Sequence, residues 1–103
     1  MIARIWRGRT RTEHAHEYVD YIKKTGVKQH RETPGNLGSM ILTRENGDEV
    51  EFLVLSLWES LDVVRAFAGE RPEVAVYYPE DEKFLLEFEP EVRHYQVAVA
   101  ELA

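Results

Sequence analysis

His94 is the residue of this chain best suited to moving a proton. In the segment "VRHYQVAV", strand alternation places His94 on one face with Val92, Gln96 and Ala98, and Arg93, Tyr95 and Val97 on the other. An imidazole titrates near neutrality and can take a proton from a phenol or an enol, which makes His94 a candidate base. Gln96 could bind an oxygen of the same molecule. The competing reading of the pair is a satisfied polar contact at an interface. Tyr77 and Tyr78 are adjacent, so on a helix only one of them points inward, where its hydroxyl could hold a substrate oxygen; Tyr77 is the second catalytic candidate. Trp6, Trp58 and Phe67 could form aromatic walls for a planar substrate, or could simply fill a core. Trp58 ends the apolar run "EFLVLSLWES" and shares a face with Ser56, Val54 and Phe52. Gly8, with no side chain, leaves room beside Trp6 for a ligand or a backbone to approach.

Other chemistries find no support. The chain has no cysteine, which removes thiolate nucleophiles, disulfides and thiolate metal sites together. His14 and His16 are two apart and do not share a helix face, so a metal pair is not expected there. His30 falls in an expected loop with no matching ligands. Neither a phosphate-binding glycine loop nor a nucleophile elbow is present.

These candidates need elements to hold them. Ile2 to Arg9 alternates as a strand, and Thr10 with Glu13 forms a potential capping box for a helix whose apolar stripe is Ala15, Tyr18, Val19 and Ile22. Gly26 reads as the stop of that helix, and Val27 to Gly35 as a loop. Leu37 to Arg44 and Val50 to Trp58 are strands joined through Asn46-Gly47, the signal of a type I′ hairpin. Ser60 caps a second helix with the stripe Leu61, Val64, Phe67 and Ala68, ended by Gly69. Pro72 is expected to start a short helix reaching Tyr77, Glu80 to Phe88 another turn or two, and Val92 to Val99 the last strand. The order is β-α-β-β-α-β, an α+β, ferredoxin-like antiparallel sheet with helices on one face, in a single domain over residues 1–103. The third strand is apolar on both faces, so the open face of the sheet is expected to bury itself against a second copy.

Of 103 residues, 44% are hydrophobic and 31% charged, and the net charge is −6. Residues 1–31 carry eight Lys and Arg against three Asp and Glu, the remainder five against sixteen. The basic part is expected to meet the acidic part in the folded dimer, and overall acidity argues against nucleic acid as a partner. With neither a membrane span nor a signal peptide in the sequence, a cytoplasmic protein is expected.

Three stretches, "MIARIWRGRT", "FLVLSLWESLDVVRAFAG" and "EVRHYQVAV", resemble strand 1, strand 3 with helix 2, and the closing strand of the antibiotic biosynthesis monooxygenase (ABM) family of dimeric α+β barrels. The resemblance covers essentially the whole chain and implies a homodimer through the open sheet face, with a cavity between sheet and helices in each subunit. It further implies a monooxygenase that oxidises a small hydrophobic aromatic or quinol-like substrate with dioxygen and no tightly bound cofactor. The alternative is a non-catalytic dimer that binds a small ligand or serves a stress-related role. Haem-degrading relatives carry an asparagine in strand 1, a tryptophan late in helix 2 and a haem-ligating histidine ten residues later. Here those places hold Trp6 and Arg7, Phe67, and Tyr77, which argues against haem degradation.

Overall fold

The computed structural model describes residues 1–102. Four strands form one antiparallel sheet in the order β2-β3-β1-β4, with β1 at Ile2–Arg11, β2 at Asn36–Asn46, β3 at Glu49–Trp58 and β4 at Arg93–Gln96. β1 lies between β3 and β4, pairing Ile2 with Trp58 and with Gln96. Helices α1 (Ala15–Lys24), α2 (Gly26–Glu32) and α3 (Leu61–Ala68) complete the βαββαβ plan, α1 and α2 together filling the first crossover.

Period-two alternation assigns the faces. Ile2, Arg4, Trp6, Gly8 and Thr10 of β1 share the helix-covered side with Val50, Phe52, Val54, Ser56 and Trp58 of β3. The core on that side is divided. One cluster centres on Tyr18, Ile22, Phe52 and Phe84, the other on Ile2, Trp58 and Val64. What separates them is a polar row across the whole sheet: Ser39 pairs with Ser56, Ser56 with Arg4, and Arg4 with His94.

Several expectations give way to the structure. The capping box does not form, because β1 runs on to Arg11 and buries Thr10 within the sheet. Gly26 does not stop a helix, since it adopts no positive φ. The break falls one residue earlier, at Thr25 (φ −112, ψ −89), whose hydroxyl donates to the Tyr21 carbonyl at 2.8 Å. Helix then resumes, so the expected loop at 27–35 is largely α2. The hairpin stands where Asn46-Gly47 put it, but Asn46 pairs with Glu49 and only Gly47 has a positive φ, 65°. The central residues are therefore Gly47-Asp48, the pattern of a type II′ turn rather than type I′.

No helix follows Pro72. Residues 74–78 lie in neither helix nor named strand, with Val74 bridged to Glu91, and the region is tied by Ala75 N–H to the Pro90 carbonyl at 2.9 Å and Val92 N–H to the Glu73 carbonyl at 2.8 Å. Glu80 to Phe88 does begin with helical residues, as most of a 3₁₀ helix at Pro79–Lys83, but β4 is half its expected length. Basic and acidic parts do meet, but within one chain: Arg7 holds Glu51 and Glu89, and Arg9 holds Glu49 and Glu87. No helix among the described residues is long and apolar enough to cross a membrane.

Candidate functional site

A narrow cavity opens along the polar row, between the sheet, α1 and α2, α3, and segment 74–78. Its cavity volume is about 50 Å³, and it is open to solvent at the mouth. Trp6, Phe67 and Val76 give it apolar walls, and Arg4, His30, Tyr78 and Asp81 give it polar ones.

Arg4 is the dominant charge. Its side chain lies on the buried face of β1, and the residue is 3% exposed. Nη1 donates to the Pro72 carbonyl and, at 3.1 Å, to His94 Nε2; Nη2 donates to the Val74 carbonyl at 3.3 Å. A guanidinium only donates, so His94 Nε2 is the acceptor nitrogen and His94 is neutral with its proton on Nδ1. Burial, and then the neighbouring Arg4 charge, hold His94 below its ordinary value. Burial also pulls Arg4 down to about 10, which leaves it cationic at neutral pH. Its guanidinium carbon stands 5.5 Å from the centroid of the Phe67 ring, a cation–π contact.

His30, on α2, is buried between aromatic rings, edge-on to Phe67 at 4.6 Å and to Trp58 at 5.5 Å. Nδ1 pairs with Ser39 Oγ at 2.9 Å. Desolvation first, and the Arg4 charge second, lower its pKa to about 4, so the ring is neutral. On the opposite wall Asp81 is committed within the protein: Oδ1 accepts from Tyr18 Oη at 2.8 Å and Oδ2 from Tyr78 N–H at 2.6 Å. Burial raises Asp81, and it also raises Tyr18 and Tyr78, the latter to about 12.

The six residues named from sequence are divided by the fold. Trp6 and Phe67 line the cavity. Trp58 is wholly buried beside it, with Nε1 donating to Ser56 Oγ at 2.8 Å, and backs His30 instead of forming the wall. Tyr77 turns away: its hydroxyl donates to the Glu89 carbonyl and its ring packs on Trp6 and Phe88. Tyr78 is the tyrosine that reaches the cavity, with its hydroxyl on Gln29 Oε1 at 2.5 Å. Gln96 is exposed at the sheet edge opposite Ile2, outside the cavity. His94 borders the site only through Arg4, and its lone pair is occupied there. The space over Gly8 is taken by the chain itself, because a Cβ there would lie 2.4 Å from Cη2 of Trp6.

Sequence reasoning missed Arg4, His30, Tyr18 and Asp81. For Arg4 the signal was present, since it shares parity with Ile2 and Trp6 while Arg7 and Arg9 do not. For His30 the signal was hidden by reading α2 as a loop. Nothing local marks Asp81 among the acids of Glu80–Glu82.

No family model and no curated protein matches the sequence. Solved structures do match. One is described as "Putative antibiotic biosynthesis monooxygenase from Nitrosomonas europaea", 14% identical over 96% of this chain and 100% of that one, with a TM-score of 0.66. Another is a point mutant of MhuD with two manganese protoporphyrin IX molecules bound per active site, 17% identical over 100% of both chains, with a TM-score of 0.63. The chain has their fold. At this identity the likeness extends to the ferredoxin-like sheet and its helices, and the side chains must speak for the site. They do not fit a haem held at the position the family resemblance offers, because Tyr77 there is bonded to the Glu89 carbonyl and faces Phe88. Among the described residues no group of three His, Cys, Asp or Glu side chains is placed to hold a metal ion.

Proposed function

We propose that the chain is a small ABM-type oxygenase that oxidises a hydrophobic aromatic or quinol-like molecule with dioxygen, without a tightly held cofactor. The observation that carries this reading is a cationic Arg4 at the wall of an aromatic cavity. In such chemistry the substrate gives a proton to solvent at the cavity mouth, and the electron-rich anion passes an electron to dioxygen. Recombination gives a peroxide anion, which takes a proton back from solvent and loses water, leaving a carbonyl. A buried guanidinium lowers the cost of the anion, each pKa unit of stabilisation being worth ~1.4 kcal/mol. Arg4 is thus the stabilising group, Trp6 and Phe67 orient the ring, and His94 is a positioning residue for Arg4.

The same reading includes a homodimer. The open sheet face presents Met40, Leu42, Leu55, Leu57 and Tyr95, of which Met40, Leu42 and Tyr95 are exposed. Self-association through that face would remove them from water. A second reading, a ligand-binding dimer without turnover, draws on one observation: the acceptor nitrogen of His94 is taken by Arg4, and His30, with its pKa lowered to about 4, is a weak base. Dioxygen consumption with an anthrone and with substituted hydroquinones separates the two. Acceleration above the uncatalysed rate supports the oxygenase; binding without acceleration in any of them assigns the cavity to ligand binding alone.

A further inference from the structure

We infer that the cavity selects a planar aromatic molecule carrying an anionic oxygen group, a carboxylate above all, and that Arg4 reads that group. The inference rests on the cavity being the ligand site and adds the charge of what enters it. Arg7, Arg9, Arg11, Arg65 and Arg71, all partly or largely exposed, each hold a carboxylate within 4 Å. Arg4, the one buried arginine among the described residues, holds none. A buried charge without an opposite charge is costly, and its three acceptors are two backbone carbonyls and a neutral imidazole. Those contacts use three of the five N–H donors of a guanidinium and leave two without a protein acceptor.

The other titratable groups facing the cavity do not neutralise it. Asp81, the one carboxylate lining the cavity, is held by Tyr18 and Tyr78 on the wall opposite Arg4 and forms no ion pair with it, His30 is neutral, and the two tyrosines are protonated phenols. From β4 the adjacent group is His94, also neutral. The cavity therefore presents one positive charge, that of Arg4, with no carboxylate paired to it. Phe67 stacks on that charge, and Trp6 stands one rung away on the same face of β1. A guanidinium with free N–H groups matches the planar fork of a carboxylate, and the aromatic walls match a ring attached to it.

The test is isothermal titration of the intact protein at pH 7 with two matched pairs, benzoate against benzamide and 2-naphthoate against 2-naphthamide. Within each pair shape is held and charge is not. The acid is expected to bind about tenfold to a hundredfold more tightly than its amide, the range for a hydrogen bond to a charged group. In Arg4→Met the preference should vanish while amide binding persists, which also reports that the variant is folded. Arg4→Lys, which keeps the charge if the methionine variant fails to fold, should retain part of the preference. Equal binding of acid and amide would overturn the charge assignment and leave the aromatic cavity standing. A preference for the acid that survives Arg4→Met in a folded protein would overturn it as well. Failure of all four probes to bind would sink the cavity as a ligand site, and the proposed function with it.

Discussion

His30 should make this fold acid-sensitive over a defined window. The ring is 5% exposed, enclosed by Trp58 and Phe67, and held neutral with a pKa of about 4 against an ordinary value of 6.5. Above pH 6.5 neither the folded nor the unfolded chain protonates it, and its contribution to stability is complete. Between pH 6.5 and about 4 the unfolded chain binds a proton that the folded chain refuses, so stability falls as pH falls. The slope approaches ~1.4 kcal/mol per pH unit and the total loss is about 3 kcal/mol, a large share of the ~5–15 kcal/mol that holds a domain folded. Urea unfolding of the native chain and of His30→Gln at half-unit steps from pH 4 to pH 8 measures this. Glutamine keeps a polar tip for Ser39 and does not titrate. Asp81, raised by burial, works in the opposite sense, gaining relative stability as pH falls, but it is common to both proteins and cancels in their difference. The native curve should descend toward the variant's below pH 6.5 and run parallel to it above. Parallel curves throughout would mean that His30 is solvated or charged in the folded state, and the assignment of a neutral wall to the cavity would fail.

Three further outcomes follow from the packing. Gly8→Ala would drive a methyl into the Trp6 ring, 2.4 Å from Cη2, so it should cost about 1–3 kcal/mol and shift the tryptophan emission; unchanged stability and emission would refute the packing of Trp6 over the strand. Tyr18→Phe removes the donor to Asp81 Oδ1 and leaves a buried carboxylate oxygen unpartnered, with an expected loss of about 1–3 kcal/mol in chemical denaturation at pH 7. The loss should shrink at acid pH as Asp81 protonates, and a pH-independent loss would contradict the pairing. Phe52→Ala empties a fully buried position against Tyr18 and should cost about 3–5 kcal/mol; a cost below 1 kcal/mol would place Phe52 at the surface.

By itself the sequence determined the periodic parts of this protein. Alternation in "MIARIWRGRT" and "EFLVLSLW", the stripe from Ala15 to Ile22, Ser60 as a cap and Gly47 in a turn are local signals, each readable within one or two turns of chain. Together they specify the βαββαβ order. Local signals failed where a choice depended on distant partners. Gly26 resembles a helix stop, but Val27 and His30 pack against the core and Trp58, so the helix resumes. The 72–92 connection carries proline and acidic residues in a helical-looking pattern, yet its backbone is tied to itself and to β1 and stays largely irregular.

The site was the least local feature of all. His94 and Tyr77 are the chemically attractive residues of the sequence, but their polar atoms are occupied by Arg4 and by the Glu89 carbonyl. Arg4, in contrast, looks like one more strand arginine. Only the pairing of four strands sets it in a row with Ser39, Ser56 and His94 beneath the helices, where desolvation turns an ordinary charge into the strongest electrostatic feature of the cavity. Periodicity assigns a residue to a face; burial and unpaired charge belong to the assembled sheet, because they depend on what every other strand and helix brings to the same place.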